Sequence, residues 1–329
     1  MRRSPSGRRF RESRDSTRSS DRGCESTAAE YSRIPVREPS FPGAAAPERS
    51  RSFESAGVRL HGLEWGDPAA TPLVLCHGMW DHARSFAVLA PLLAERFRVI
   101  AVDARGHGDS SWAAAYTWPT DVHDIVCVLR ALGRPAHLLG HSKGGGQATD
   151  AACMAPQLVR QLVNIDGFGP PALPADDDPV PHLRQFLDAR RAIAQRTTWR
   201  PYASLEALVE RRRHQNPRLS REWLHYFIFH GASEDHDGWR WKHDPHMGHG
   251  FGPWRPDWIG PGYAALQAPM LAIVGSENDT WGPLPEPLLT ERLAHVKRLE
   301  RRTVTGAGHF VHNEQPAETA RIILDFLER

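Results

Sequence analysis

Short, continuous apolar runs alternate along much of the chain with segments that place apolar residues at helical spacing. Runs of this length and composition are typical of parallel strands that are buried on both faces. The first four lie at residues 72–76, 98–102, 136–139 and 158–165. Helical patterns are interleaved with them, at residues 83–97, 119–132 and 144–152. Strands that alternate with helices in this way predict βαβ units and a parallel sheet.

A predicted hairpin precedes the alternating strands and helices, and further alternating strands and helices are predicted near the end of the chain. Residues 53–55 and 58–65, with Gly57 between them, predict a β-hairpin. The C-terminal part predicts two strands and two helices, at residues 269–274, 284–295, 297–305 and 317–327. The pattern therefore predicts an α/β core in two parts, residues 52–170 and residues 263–329.

Residues 171–262 interrupt the core. They contain three helical patterns and no convincing strand, and their last part is rich in Trp, His, Gly and Pro. The three helices are predicted at residues 181–196, 204–214 and 220–230. We interpret this region as a helical cap inserted into the core.

Residues 1–51 differ from the rest of the chain in composition. They hold twelve arginines, no lysine and seven acidic residues, a net charge of +5. Because the whole chain carries +2, the remainder carries −3, which gives no reason to expect a nucleic-acid partner. Without apolar periodicity, residues 1–51 are predicted to be a disordered Arg/Ser-rich tail. Their acidic residues count against a transit peptide.

Targeting signals and cysteine usage indicate the compartment. The sequence contains no apolar signal-peptide core and no run approaching the roughly 18 apolar residues that a membrane span needs. The four cysteines are widely spaced and form no C-x-x-C motif: Cys24, Cys76, Cys127 and Cys153. This spacing favours free thiols in a reducing compartment. We therefore expect a cytoplasmic protein that does not span a membrane.

The segment Gly140-His141-Ser142-Lys143-Gly144 lies between a predicted strand and a predicted helix. Strand, Gly-x-Ser-x-Gly and helix form the context of a nucleophile elbow, in which a tight turn exposes the serine hydroxyl. Glycines at both ends let the backbones approach closely. Ser142 is therefore the predicted nucleophile, at a helix N-terminus that favours developing negative charge.

A serine hydroxyl needs a base, and the base is normally a histidine held by a carboxylate. His309 lies in a Gly-flanked loop after the last predicted strand, and Asp279 lies four residues beyond Gly275 at the end of a late strand. Ser142, Asp279 and His309 have the order nucleophile, acid, histidine that this kind of sheet requires. Two other carboxylates are possible in place of Asp279: Glu277, which is two residues away, and above all Asp166, which follows the strand at 158–165.

The tetrahedral intermediate of acyl transfer needs two backbone donors. We expect them to be the N–H of Lys143, which follows the nucleophile, and that of Met79, in the loop after the strand at 72–76. Residues 103–110 contain Asp, Arg, His and Asp, but we interpret them as a hydrogen-bonded turn beside the site rather than as catalytic groups.

Together these motifs resemble the α/β-hydrolase superfamily over residues 53–329. The resemblance rests on His77-Gly78, on the turn at 103–110, on the Gly-x-Ser-x-Gly segment, on Gly275-x-x-x-Asp279 and on Gly308-His309. His77-Gly78-Met79-Trp80-Asp81 and Asn164-Ile165-Asp166-Gly167 resemble the serine-hydrolase-like, esterase/lipase branch. The resemblance implies a mostly parallel eight-stranded sheet flanked by helices, with a cap inserted after the sixth strand.

Two features depart from the pattern of the superfamily. Position 143 is often apolar in relatives and is Lys here, either as a solvated residue or as a group that attracts an anionic part of the substrate. The cap contains His-x-x-His twice, formed by His243, His246 and His249 among several tryptophans. This spacing on a Gly/Pro-rich loop is poor evidence for a metal, and packing or an aromatic acyl pocket is favoured.

The sequence thus predicts a serine hydrolase that cleaves small carboxylic esters, with an apolar acyl part, without a cofactor or metal. Thioester, lactone or carbon–carbon bond hydrolysis on the same three residues is an alternative. A catalytically silent ligand-binding protein of the same fold is the alternative from another class, and the presence of Ser142, Asp279 and His309 counts against it.

Overall fold

The computed structural model describes residues 37–170, 178–249 and 258–329. Most of the predicted tail, residues 1–36, lies outside the described residues, as do parts of the predicted cap, residues 171–177 and 250–257. The boundary at residue 51 was wrong, because the first strand begins at Arg49. Residues 38–48 also make specific contacts, among them the hydrogen bond that Trp65 Nε1 donates to Ala45 O at 3.2 Å.

Eight of the strands in the described residues form one sheet, in the order β1-β2-β4-β3-β5-β6-β9-β10. Their bounds are β1 Arg49–Ser55, β2 Val58–Trp65, β3 Pro72–Cys76, β4 Arg98–Val102, β5 Ala136–His141, β6 Val159–Ile165, β9 Met270–Gly275 and β10 Leu299–Val304; β7 and β8 lie outside it. Strand β2 runs antiparallel to its neighbours β1 and β4, and the other pairs are parallel. The predicted mostly parallel sheet is confirmed.

Helices cover both faces of this sheet. The helices of the core are α1 Leu89–Ala94, α2 Trp118–Ala131, α3 Lys143–Met154, α7 Ile259–Tyr263, α8 Glu286–Leu293, α9 Val311–Glu314 and α10 Pro316–Leu327. Apolar residues of α2, α3, α7 and α8 pack on one face, and those of α1 and α10 pack on the other. Strand β3 alternates between these two clusters, with Val74 on one side and Leu73 and Leu75 on the other. Burial on both faces explains its continuous apolar run.

The predicted helix at 83–97 is two shorter elements. A 3-10 turn at Ala83–Phe86 precedes α1, and the helix ends at Ala94. Ala87 and Val88 pack against the cap, whereas Leu89 and its neighbours pack against the sheet. Because almost every side of the segment is buried, it has no polar face of the kind that a regular surface helix shows.

The cap contains the three predicted helices, α4 Pro179–Ile193, α5 Leu205–Gln215 and α6 Arg221–Gly231. It also contains a small hairpin, β7 Ala232–Asp235 and β8 Gly238–Trp241, so the expectation that it has no strand was wrong. The hairpin is short and mostly polar, and it is anchored by two backbone hydrogen bonds between Tyr202 and Trp239, both 2.8 Å. Such long-range pairing leaves no periodic signal in the sequence.

None of the helices in the described ranges is long and apolar enough to cross a membrane.

The turn from β5 to α3 brings backbones into contact. A Cβ atom on Gly140 would lie 2.2 Å from the carbonyl oxygen of Gly144, and one on Gly144 would lie 2.4 Å from that of Cys76. Both distances are far below van der Waals contact, so only glycine fits at either position.

Gly140→Ala should therefore destabilise the protein by about 3 kcal/mol or more, because helix α3 must move away from β5. We expect the melting temperature to fall by about 5–10 °C. Gly262→Ala is the matched control, since a Cβ at Gly262 would have nothing within 4 Å. Equal melting temperatures for the two variants would contradict this account of the turn.

Candidate active site

Ser142 occupies the turn between β5 and α3 in a conformation that serine rarely adopts. Its φ is 54° and its ψ is −124°. Its backbone N–H donates to Ile165 O at 2.9 Å, which ties the turn to the end of β6. A strained backbone held by its surroundings is typical of functional sites. The residue also precedes the first turn of the twelve-residue helix α3, as the elbow pattern predicts.

His309 lies between Ser142 and a carboxylate. His309 Nε2 is 2.9 Å from Ser142 Oγ, and His309 Nδ1 is 2.6 Å from Asp166 Oδ2. Because a carboxylate only accepts, the ring carries its proton on Nδ1 and leaves the Nε2 lone pair free to accept the serine O–H. The side chains of His309 and Asp166 are both 6% exposed, so water screens their interaction little.

The carboxylate on the ring is Asp166, whereas the sequence pointed first to Asp279. Asp279 instead accepts a hydrogen bond at 3.2 Å from the backbone N–H of His309, and its other oxygen accepts from Thr280 N. The strand order permits either residue, because β6 and β9 both lie between β5 and β10. The loops decide: Asp166, with a φ of 47°, reaches the ring of His309, whereas Asp279 binds the backbone N–H. Glu277, the other candidate, accepts from the Ser276 hydroxyl.

The loop after β3 lies beside the nucleophile. A Cβ on Gly78 would be 3.3 Å from Ser142 Cβ. His77 holds this loop, because its Nδ1–H donates to Gly78 O at 2.7 Å and its Nε2 accepts from Ala104 N at 3.0 Å. Met79 follows in this loop, and Lys143 begins α3. The backbone N–H groups of Met79 and Lys143, which we predicted as oxyanion donors, therefore lie on the two segments beside Ser142.

The side chain of Lys143 points into the protein. Its Nζ is 3.1 Å from Asp121 Oδ2, and the two side chains are 6% and 2% exposed. Gln147 Nε2 donates to the same oxygen at 2.9 Å. The interpretation of Lys143 as a solvated surface residue is therefore wrong. Because its ammonium group is already paired with a carboxylate, it is also poorly placed to attract an anionic substrate.

Residues 103–110 are structural, as we interpreted them. Asp103 accepts hydrogen bonds from the backbone N–H groups of Ala83 and Asp109, at 2.7 and 3.0 Å. Arg105 forms a bidentate pair with Asp124, at 2.7 and 2.6 Å, which packs this turn against α2. These contacts satisfy the charged groups within the fold.

Buried histidines surround His309. His141 Nε2 donates to the backbone oxygen of His309 at 3.0 Å, and the ring of His312 lies 4.5 Å from that of His141. Burial lowers the pKa of His312 to about 3 and holds that of His141 well below its usual range. Both rings are therefore neutral near pH 7. The supporting role of His141 was missed, although its position beside Ser142 was a usable signal.

Of the histidines in the two His-x-x-His motifs, His243 packs among aromatic rings, and the side chain of His249 lies outside the described residues. The ring of His243 lies 4.8 Å from that of Trp80, 5.1 Å from Trp199 and 5.4 Å from Trp241. Burial lowers the pKa of His243 to about 3. His246 pairs with Asp244, at 2.8 Å. Two groups of described side chains are close enough together to hold a metal ion: His61 with Asp103 and Asp109, and Asp235 with His236 and Asp237. Neither group includes Ser142, His309 or Asp166.

Comparison with known proteins gives consistent matches. The model of the alpha/beta hydrolase family matches residues 73–322. A serine hydrolase-like protein of Dictyostelium discoideum is 26% identical over 302 residues, covering 82% of this chain and 79% of its own. An esterase of Mycobacterium tuberculosis is 27% identical over 273 residues, covering 82% and 86%. The solved thioesterase domain from the curacin biosynthetic pathway has a TM-score of 0.76 at 22% identity, with coverage of 84% and 99%, which shows a shared fold.

The two aspartates near His309 should differ sharply in their effect on Ser142. Asp166→Asn should slow the labelling of Ser142 by a fluorophosphonate by roughly 10³-fold or more, because an amide stabilises neither the required tautomer nor the imidazolium. Asp279→Asn should slow it by less than about tenfold, since only a backbone contact is weakened. The measurement is the second-order labelling rate with circular dichroism as a folding control. The reverse ranking would contradict the assignment.

Lys143→Met should lower stability rather than change selectivity. Removing Lys143 leaves Asp121 with Arg105 Nε at 3.7 Å and Gln147 Nε2 at 2.9 Å as partners, so we expect a cost of about 3 kcal/mol, at the lower end for a broken buried pair. The denaturant midpoint should fall accordingly, while Lys297→Met, an exposed control, should leave it unchanged. A preference between acidic and neutral esters that shifted more than about twofold in Lys143→Met would restore the anion-binding hypothesis.

Proposed function

The chain belongs to the α/β-hydrolase family, and from that premise we propose that it is a serine hydrolase that cleaves carboxylic esters. The observation that carries the proposal is the position of His309, with one ring nitrogen on Ser142 Oγ and the other on Asp166 Oδ2. This arrangement supplies a nucleophile, a base and an orienting carboxylate in hydrogen-bond reach of one another.

In the proposed reaction, Ser142 Oγ attacks the ester carbonyl while His309 Nε2 accepts the hydroxyl proton. The negatively charged Asp166 stabilises the imidazolium that forms and keeps the ring in place. His309 then donates the proton to the departing alkoxide, which leaves an acyl group on Ser142. A water molecule attacks this acyl-enzyme, and His309 again accepts and returns a proton.

The negative charge of each tetrahedral intermediate falls on the carbonyl oxygen. We assign its two donors to the backbone N–H groups of Met79 and Lys143, on the two segments beside Ser142. The N-terminus of α3 adds a favourable dipole at the same place. Each step uses only groups of the chain and water.

The substrate class is inferred from a relative and from aromatic side chains on the core loops that carry Met79 and His309. A relative of similar length is an esterase, which favours a small-molecule ester. Aromatic groups such as Trp80 and Phe310 are placed near the site, on the segments that carry Met79 and His309, and they favour an apolar acyl part. Thioester, lactone or carbon–carbon bond hydrolysis would use the same three residues and remains the second candidate within the fold.

Ser142→Ala should abolish hydrolysis of a p-nitrophenyl ester, with kcat/KM at least about 10⁴-fold lower, because the nucleophile itself is removed. Initial rates on a series from acetate to palmitate, wild type beside variant, provide the measurement. The preferred chain length would also show the size of the acyl pocket.

Labelling by a fluorophosphonate distinguishes the alternatives. An enzyme with narrow specificity should label at Ser142 even where the ester series shows no turnover. A catalytically silent binding protein of the same fold should neither turn over esters nor label, and that pair of results would overturn the proposal.

A further inference from the structure

Three consecutive residues of the loop after β3 face the cap. The ring of Trp80 lies 4.8 Å from that of His243. His82 Nε2–H donates to Phe227 O at 2.9 Å, and its ring stacks on that of Phe227 at 4.4 Å. Asp81 lies between them and is 3% exposed. The segment that carries the Met79 N–H is therefore attached to the cap over its whole following turn.

Two buried polar side chains lie at the C-terminal end of helix α5, and one of them, Arg212, reaches this region. Arg212 and Asn216 are one helical turn apart and are 6% and 2% exposed. Arg212 Nε and both polar atoms of the Asn216 side chain have no hydrogen-bond partner among the described residues. The Arg212 guanidinium contacts the face of Phe227, with its carbon 5.4 Å from the ring centroid. An unpaired buried donor or acceptor costs about 1–3 kcal/mol, so such groups normally have a partner.

The loop after β3 and the turn that follows it also carry two buried polar side chains, Asp81 and Ser85. Asp81 Oδ1 accepts from His82 N at 2.7 Å, but Asp81 Oδ2 and Ser85 Oγ complete no well-formed hydrogen bond within the described structure. Arg212 lies on the face of Phe227, whose ring stacks on that of His82, the residue after Asp81. The Asp81 carboxylate and the Arg212 guanidinium are therefore near each other, although no hydrogen bond of the described residues joins them. Burial raises the pKa of Asp81 to about 7, and the charge of Arg212 and the nearby Ser85 hydroxyl oppose that rise.

We propose that Asp81 and Arg212, together with Ser85, form a buried polar cluster, bridged by ordered water, that fastens the cap to the loop carrying the Met79 N–H. Buried water typically bridges polar groups that would otherwise be unpaired. Asp81 and Arg212 are then positioning residues for the oxyanion donor. The inference rests on the proposed function, because it assigns Met79 to the oxyanion hole.

The backbone between Met79 and Asp81 explains why the loop needs this support. Trp80 has a φ of 57°, a left-handed conformation that is strained for a bulky side chain. Such a conformation persists only where the surroundings hold it. The Asp81 carboxylate holds the next N–H, and the cap holds the ring of Trp80. When this support is lost, Trp80 can relax and the N–H of Met79 moves away from the developing charge.

The test is a double-mutant cycle at pH 8, where most of Asp81 is ionised. Arg212→Met and Asp81→Asn should each lower kcat by roughly 10- to 100-fold, a part of the loss seen when an oxyanion donor is removed. KM should stay within about threefold. The double variant should lose no more than the worse single variant, because each single change leaves the other charge unpaired. Arg212→Lys should recover most of the activity.

A second readout reports on the oxyanion site itself. The inhibition constant of a trifluoromethyl ketone, whose hemiketal oxyanion occupies that site, should rise by the factor by which kcat falls. Arg211→Met, an exposed neighbour on the same helix, is the control and should match the wild type. Asp81→Asn keeps the size of the side chain and carries the test alone if Arg212→Met does not fold.

Two results would overturn the proposal: a kcat within about threefold of wild type in both folded single variants, or losses that multiply in the double variant while the inhibition constant is unchanged. Wild-type turnover and Ser142 labelling are measured first. Their absence would contradict the proposed function, whereas active wild type with unaffected variants contradicts only the positioning role.

Discussion

The close approach of helix α3 to strand β5 is the constraint on which the site depends. A Cβ on Gly140 would collide with the backbone of Gly144 in α3, and one on Gly144 would collide with that of Cys76 at the end of β3. A Cβ on Gly167 would likewise lie 2.4 Å from Ser142 O, so the loop after β6 is pressed against the same turn. Ser142 is forced into its left-handed conformation by this packing, and its hydroxyl projects where the loops of three strands meet.

Neutral imidazoles form much of the framework around that hydroxyl. His77, His141 and His312 are all nearly inaccessible, and burial lowers the pKa of each. A neutral ring can donate from one nitrogen and accept at the other, as His77 does between Gly78 O and Ala104 N. Such rings connect the loops around Ser142 without adding a buried charge.

Buried charges are handled in two ways in this protein. Arg105 with Asp124 and Lys143 with Asp121 are direct pairs that join the core loops to α2 and α3. Breaking such a pair is costly, although its net contribution to stability is small, and pairs of this kind favour one arrangement over its alternatives. Asp81 and Arg212 are the indirect case, and they lie where the cap meets the core. A satisfied buried polar cluster favours one arrangement of the cap and the loop, as the positioning of the Met79 N–H requires.

The sequence by itself determined the order of strands and helices, the elbow at Ser142 and the loop of His309, because these depend on local periodicity and on glycines at fixed spacing. Only the tertiary structure decided which carboxylate reaches His309, because Asp166 and Asp279 satisfy the same order along the chain. The choice follows from the conformation of the loops after β6 and β9, which put Asp166 on the ring of His309 and Asp279 on its backbone N–H. The partner of Lys143 and the pairing of Tyr202 with Trp239 of the hairpin β7–β8 likewise depend on contacts between distant segments. Local patterns encode the conformation of a segment, whereas the partner of a buried side chain depends on which distant segments packing brings together.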